Sequence, residues 1–276
     1  MLIIKGFGVR PCLTIIERSD FMLIDTHAHL DFDEYKDNFE DVLKQAQEAG
    51  VEKIIIPGVT IKDSQRVVDL IEKYDCLYGA IGVHPSEAKT WDENSYEILK
   101  NFAKHEKIVA IGEIGLDYYW DKTFNDVQQV VLKEQIKLAK KLKKPVIIHD
   151  REAHSDVFNI LKETNANEVG VVMHCFSGSL EFAMECVNLG FYIALGGPVT
   201  FKNAKKPKEV ASKIPLDKLL LETDCPFLTP HPYRGQVNYP HYIKLVAEEI
   251  ATLRGVSYDE IASQTTKNAE KLFQLN

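Results

Sequence analysis

At 276 residues, 45% of them hydrophobic and 27% charged, the chain can bury one large core and needs no disulfide framework. Its formal net charge of −8 excludes a protein held on nucleic acid by a general basic surface, although an acidic chain can still grip phosphate locally. The 5 cysteines form no Cys-x-x-Cys pair, which points to a reducing compartment, the cytoplasm, and away from a structural zinc cluster; no apolar run reaches the ~20 residues of a membrane span.

Residues 1–21 contain Lys5, Gly6, Gly8, Arg10 and Pro11 and so lack an unbroken secretory apolar stretch. They are read as an N-terminal extension, with Met22 as the expected natural start and a single domain over 22–276; the plain alternative is an arm packed on that domain. From Met22 onward, short β-branched runs alternate with helical patterns. Strands are expected at 22–26, 53–57, 77–83, 108–113, 145–149, 170–174, 192–195 and 219–222. Helical periodicity marks 38–49, 64–74, 126–142, 203–213 and 241–254, and 257–273 reads as a closing cap of one or two short helices. This alternation predicts an α/β fold with a parallel sheet inside a layer of helices. About eight units in this length point to a (β/α)8 TIM barrel. No Gly-x-Gly-x-x-Gly turn follows the first strand, which disfavours a doubly wound open sheet.

The strand ends carry unusual residues. Asp25-Thr26-His27-Ala28-His29 closes the first, and residues two apart on a strand share a face, so Asp25, His27 and His29 are expected on one side. Glu113 ends the fourth, His149 the fifth, His174 the sixth and Asp224 the eighth, while His84-Pro85 follows the third. Each has a plain alternative: a hydrogen-bonded rim histidine, a helix cap or a salt-bridge partner. Together they would converge on one mouth of a barrel, where so many imidazoles and carboxylates are costly to bury without a cation. His27, His29, Glu113, His149, His174 and Asp224 are too many for one tetrahedral catalytic zinc and suit two metals about 3.5–4 Å apart, with Glu113 as the natural bridge.

These residues lie in segments that resemble a known family. Leu23-Ile24-Asp25-Thr26-His27-Ala28-His29-Leu30-Asp31, the run 145–156 from Pro145-Val146-Ile147-Ile148-His149-Asp150-Arg151 onward, and Leu219-Leu220-Leu221-Glu222-Thr223-Asp224-Cys225-Pro226 resemble the three signatures of TatD-type metal-dependent deoxyribonucleases. Gly112-Glu113-Ile114-Gly115-Leu116-Asp117 and His174-Cys175-Phe176-Ser177-Gly178 are similar to further family segments, so the resemblance covers the chain from Met22 on. It implies a barrel of the amidohydrolase superfamily with two divalent cations: His27, His29 and Asp224 at the first, His149 and His174 at the second, Glu113 between them. It also implies a DNA substrate cut at a phosphodiester.

On that footing Asp224 and Glu113 are the expected catalytic residues, with Asp224 as general base. Glu222 and Asp25 would lie behind the ligands and orient them, or would simply be buried acids with partners. Arg234, His84 and Lys202 are the candidate phosphate contacts, Lys202 as the head of the basic run 202–208. Arg151 is read as a structural ion-pair partner or a phosphate contact. Tyr118, Tyr119 and Trp120 would stack on unpaired bases or pack their loop. The cations are Mg2+, Mn2+ or Zn2+. The expected partner is DNA, single-stranded or at a 3′ end, with no obligate protein partner and no membrane. The same water attack also serves an ester or amide such as an aminoacyl ester, and a non-enzymatic nucleic-acid-binding protein is the reading from outside enzymology.

Overall fold

Eight parallel strands follow one another around a single sheet in strict chain order. They are β1 (Leu23–Asp25), β2 (Val51–Pro57), β3 (Leu77–Ile81), β4 (Ile108–Asp117), β5 (Val146–Arg151), β6 (Val171–Met173), β7 (Tyr192–Leu195) and β8 (Leu219–Leu221). The computed structural model describes residues 22–275, so the expected extension over 1–21 lies outside the described residues. The ring closes just beyond the named strands. The amide and hydroxyl of Thr26 donate to the Leu221 carbonyl at 3.1 and 2.9 Å, and the Asp224 amide donates to the His27 carbonyl at 2.9 Å. The expected (β/α)8 TIM barrel is therefore the fold.

Helices connect the strands on the outside: α1 (Phe39–Glu48), α2 (Ile61–Ile71), α3 (Ser95–Phe102), α4 (Asn125–Leu142), α5 (His154–Glu163), α6 (Leu180–Asn188), α7 (Lys205–Lys213), α8 (Ile243–Arg254) and α9 (Tyr258–Phe273). The residues 257–273 form one helix rather than two, with the Ser257 hydroxyl accepting the Glu260 amide at its start. Among the described residues no helix is long and apolar enough to cross a membrane.

The two-residue strand period splits the core into two layers. Ile54, Ile56, Val146, Ile148, Leu219 and Leu221 face the helices. Ile24, Ile55, Ile147, Val172, Ala194 and Leu220 fill the barrel interior, which Phe273 and Leu275 close from the α9 end. Chemistry is left to the opposite, C-terminal mouth.

β4 departs most from expectation, running to Asp117 instead of ending at Glu113. Its glycines serve close packing against β5. Gly115 pairs with His149, and a Cβ there would stand 1.9 Å from the His149 carbonyl oxygen. The register with β5 also slips between Ile111 and Ile114. Both isoleucines belong to the outward layer, so Gly112 and Glu113 between them both face inward. Plain alternation from Gly112 would turn Glu113 toward the helices; the bulge re-aims it into the mouth.

Candidate metal centre

β1 ends at Asp25, and the interior position on that strand belongs to Ile24. Asp25 therefore does not share a face with the two histidines as strand periodicity expects. Its carboxylate accepts the Thr223 amide (2.9 Å), the Thr223 hydroxyl (2.6 Å) and the His27 amide (3.2 Å). It ties the exits of β1 and β8 together beneath the site, and burial pushes its carboxyl up to about 7 against those hydrogen bonds.

Above this clasp the predicted ligands converge. His27 Nε2 and His29 Nε2 stand 3.2 Å apart. His27 Nε2 lies 3.3 Å from Glu113 Oε2 and 3.8 Å from Asp224 Oδ1; His29 Nε2 lies 3.7 and 3.6 Å from the same atoms. A cation with nitrogen and oxygen ligands at about 2.0–2.1 Å sets tetrahedral ligand-to-ligand edges of about 3.3 Å. The ligand atoms of His27, His29 and Asp224, 3.2–3.8 Å apart, thus stand near the spacing of a coordination shell, and Glu113 Oε2 approaches the two imidazoles from beside them. The buried Nδ1 atoms of both histidines have no hydrogen-bond partner, so the rings are held through the converging Nε2 side. The donor set and its spacing fit a divalent cation.

Glu113 divides its oxygens. Oε2 faces His27 and His29, while Oε1 lies 2.7 Å from His149 Nδ1, 3.6 Å from His84 Nε2 and 3.8 Å from His174 Nε2. The His27 and His174 rings stack at 3.5 Å between centroids. His174 Nδ1 donates to Glu222 Oε2 at 2.9 Å, which leaves Nε2 turned to the centre, and Glu222 Oε1 accepts the Cys175 amide. Glu222 thus orients a candidate ligand, the arrangement that fixes tautomer and basicity in metal sites.

Charge in the cluster is balanced internally. Burial opposes ionisation of Glu113, but the surrounding imidazoles of His84, His27, His149 and His174 outweigh it and hold the carboxyl well below its ordinary range. Burial disfavours the charged form of His149, yet hydrogen bonds to Asp117 and Glu113 push it up to about 9. His174 is likewise driven up to about 10 against burial, chiefly by Glu222 and then Glu113. Burial takes His84 down to about 3. Asp224 and Cys175, beyond the ends of β8 and β6, adopt left-handed backbone (φ 55° and 44°), a conformation uncommon in non-glycine residues.

A cavity of about 700 Å³ opens over the cluster, lined by His29, His84, Glu113, Asp117, His149, His174 and Asp224 at its floor and by Trp120, Arg151, Phe227 and Leu228 higher up. The other two predicted phosphate contacts lie off this wall. Lys202 is exposed, and the Arg234 guanidinium rests 4.3 Å above the Phe201 ring. Sequence reasoning gives Asp117 no role. The structure puts its Oδ2 3.0 Å from His149 Nε2 and has its Oδ1 accept the amides of Tyr119 and Trp120. The signal was present: residues 113, 115 and 117 share a face once the strand is allowed to continue.

The family model for TatD related DNase matches residues 24–274. The chain is 52% identical over 255 residues to the "uncharacterized metal-dependent hydrolase YabD" of Bacillus subtilis, covering 92% of this chain and 100% of the relative. The crystal structure of YjjV, a TatD homolog from Escherichia coli K12, superposes with a TM-score of 0.87 at 39% identity, over 92% of this chain and 98% of that one. A TatD family hydrolase from Entamoeba histolytica gives a TM-score of 0.81 at 26% identity, over 92% and 98%.

Proposed function

Since the chain belongs to the TatD-related DNase family and is a metal-dependent hydrolase, we propose that it hydrolyses phosphodiester bonds of DNA with two divalent cations, Mg2+, Mn2+ or Zn2+, at this centre. The observation that carries the two-cation reading is the division of Glu113, one oxygen toward His27 and His29, the other toward His149 and His174. His27, His29 and Asp224 would hold one cation, His149 and His174 the other, with Glu113 shared. When bound, the cations would supply charge that lowers the pKa of a water toward neutrality and offsets the charge of the scissile phosphate.

The protein's own groups do the rest. Asp224 stands at the cavity floor with its Oδ1 3.6–3.8 Å from three imidazole nitrogens, positioned to take a proton from the attacking water. Glu222 and Asp25 keep His174 and the His27 backbone in place. His84 Nδ1 accepts the Ser86 amide at 3.1 Å, so Nε2 carries the proton and faces the Glu113 side, where it can donate to a phosphate oxygen. Arg234 and Lys202, outside the cavity, would meet the backbone as the strand leaves the mouth. The candidate ligands His27, His29, Glu113 and His174 are nearly fully buried, so a phosphate must reach down to them, which a single strand or a 3′ end does more readily than a stiff duplex. The thiols Cys175, Cys186 and Cys225 agree with a reducing, cytoplasmic setting.

One observation favours a second reading. Among the described residues, Arg151 is the only lysine or arginine lining the cavity, which suits an uncharged ester or amide, such as an aminoacyl ester, as well as a phosphate chain. A screen of single- and double-stranded DNA, RNA, and ester and amide substrates against several divalent ions separates the two. Release of nucleotides from single-stranded DNA supports the nuclease reading. Turnover confined to carbon esters or amides replaces it.

A further inference from the structure

The loop after β4 carries three aromatic residues, and they do different things. The Tyr118 hydroxyl donates to Asp156 at 2.8 Å and pins the loop to α5. Tyr119 is covered on one face by the Arg151 guanidinium, 4.0 Å from its centroid. Trp120 stands edge-on to Tyr119 (4.8 Å, 86°), with Arg151 at 5.2 Å, and is 72% exposed although it lines the cavity. It is the most exposed large hydrophobic side chain among the described residues, and its amphipathic ring suits a contact surface at a cavity mouth. Across the mouth, four strands round the ring, Phe227 follows β8 and is 50% exposed. It packs edge-to-face on Phe32, which in turn leans on His29.

Both rings are wired to the floor. Asp117 uses one oxygen for His149 and the other for the amides of Tyr119 and Trp120, so the Trp120 backbone is fixed relative to the ligands. On the other wall, Asn238 donates to the carbonyls of Thr223 and Phe227, and so ties Phe227 to the end of β8. An exposed indole with a guanidinium beside it on one wall, and an exposed phenyl on the other, bracket Glu113 and Asp224. Aromatic faces flanking a phosphate-cleaving floor match one ligand chemistry: unpaired bases, which every nucleotide offers and which a duplex hides.

We propose that Trp120, with Arg151 beside it, and Phe227 are stacking platforms for the bases on either side of the scissile phosphate, and that the enzyme therefore requires unpaired substrate there. This rests on the nucleic-acid reading above but is tested by binding, without cleavage. A fluorescent phosphorothioate thymidine oligomer and the matching abasic oligomer are titrated into the full chain and followed by anisotropy. The wild type should bind the thymidine oligomer about tenfold more tightly than the abasic one. Trp120→Ala and Phe227→Ala should each shrink that ratio severalfold, and Trp120→Phe should restore most of it; both side chains are exposed, and unchanged far-ultraviolet dichroism would verify the fold. The thymidine oligomer should also quench the Trp120 fluorescence, read against Trp120→Phe. Equal binding of the two oligomers by the wild type, an undiminished ratio in both alanine variants, or equal binding of a duplex would overturn the proposal. Base-dependent binding with no cleavage of DNA in any divalent ion would keep it and sink the nuclease reading alone.

Discussion

Glu222 accepts the Nδ1 proton of His174 at 2.9 Å, so Nε2 of that histidine is turned toward the carboxylates of Glu113 and Asp224, 3.8 Å from each. A fully buried acid that also takes the Cys175 amide has no oxygen to spare. Its identity as a carboxylate fixes the tautomer of a candidate ligand.

Glu222→Gln tests that relationship. The amide oxygen can keep Cys175, but the amide nitrogen cannot accept the Nδ1 proton. Metal affinity should fall about 10- to 100-fold with the fold retained. Calorimetric titration with Mn2+ or Zn2+ reads this directly, and wild-type affinity would remove Glu222 from the site.

Gly115→Ala probes the β4–β5 contact that places His149. The new Cβ would meet the His149 carbonyl at 1.9 Å, on a backbone with φ +152°. A loss of about 3 kcal/mol or more is expected from strain at a site of this kind. Urea unfolding measures it; stability equal to wild type would mean that the strands do not approach as described.

How much of this was legible beforehand depends on the length of the signal. Alternating β-branched and helical stretches repeat from Met22 onward, so the barrel and the convergence of imidazoles and carboxylates at its strand ends could be read. Single-residue geometry could not. The fourth strand reads as ending at Glu113, yet it continues to Asp117, and Gly112 and Gly115 are glycines because β5 passes too close for a side chain. The strand period also put Asp25 beside His27, but the strand ends at Asp25 and Thr223 claims its carboxylate. That pairing joins residues 198 apart and follows from barrel closure, which no local pattern encodes. Arg234 follows β8 as the sequence places it, but that its exposed guanidinium rests on Phe201 outside the cavity is decided only by tertiary packing.

Asp224→Asn separates chemistry from folding. The side chain keeps its shape and its left-handed position, since asparagine tolerates that backbone conformation better than most residues. Turnover should drop about a hundred- to ten-thousand-fold as the proposed base is lost, while the melting temperature stays close to wild type. Turnover at the wild-type rate would end the assignment of Asp224 as the base.

If the converged imidazoles and carboxylates act on DNA through divalent cations, hydrolysis depends on those ions. Hydrolysis of single-stranded DNA, followed first in chelator and then with Mg2+, Mn2+ or Zn2+ added back, tests it most directly. Chelation should abolish cleavage, and at least one of these ions should restore it. Cleavage that persists in chelator, or none with any divalent ion added back, would contradict that dependence.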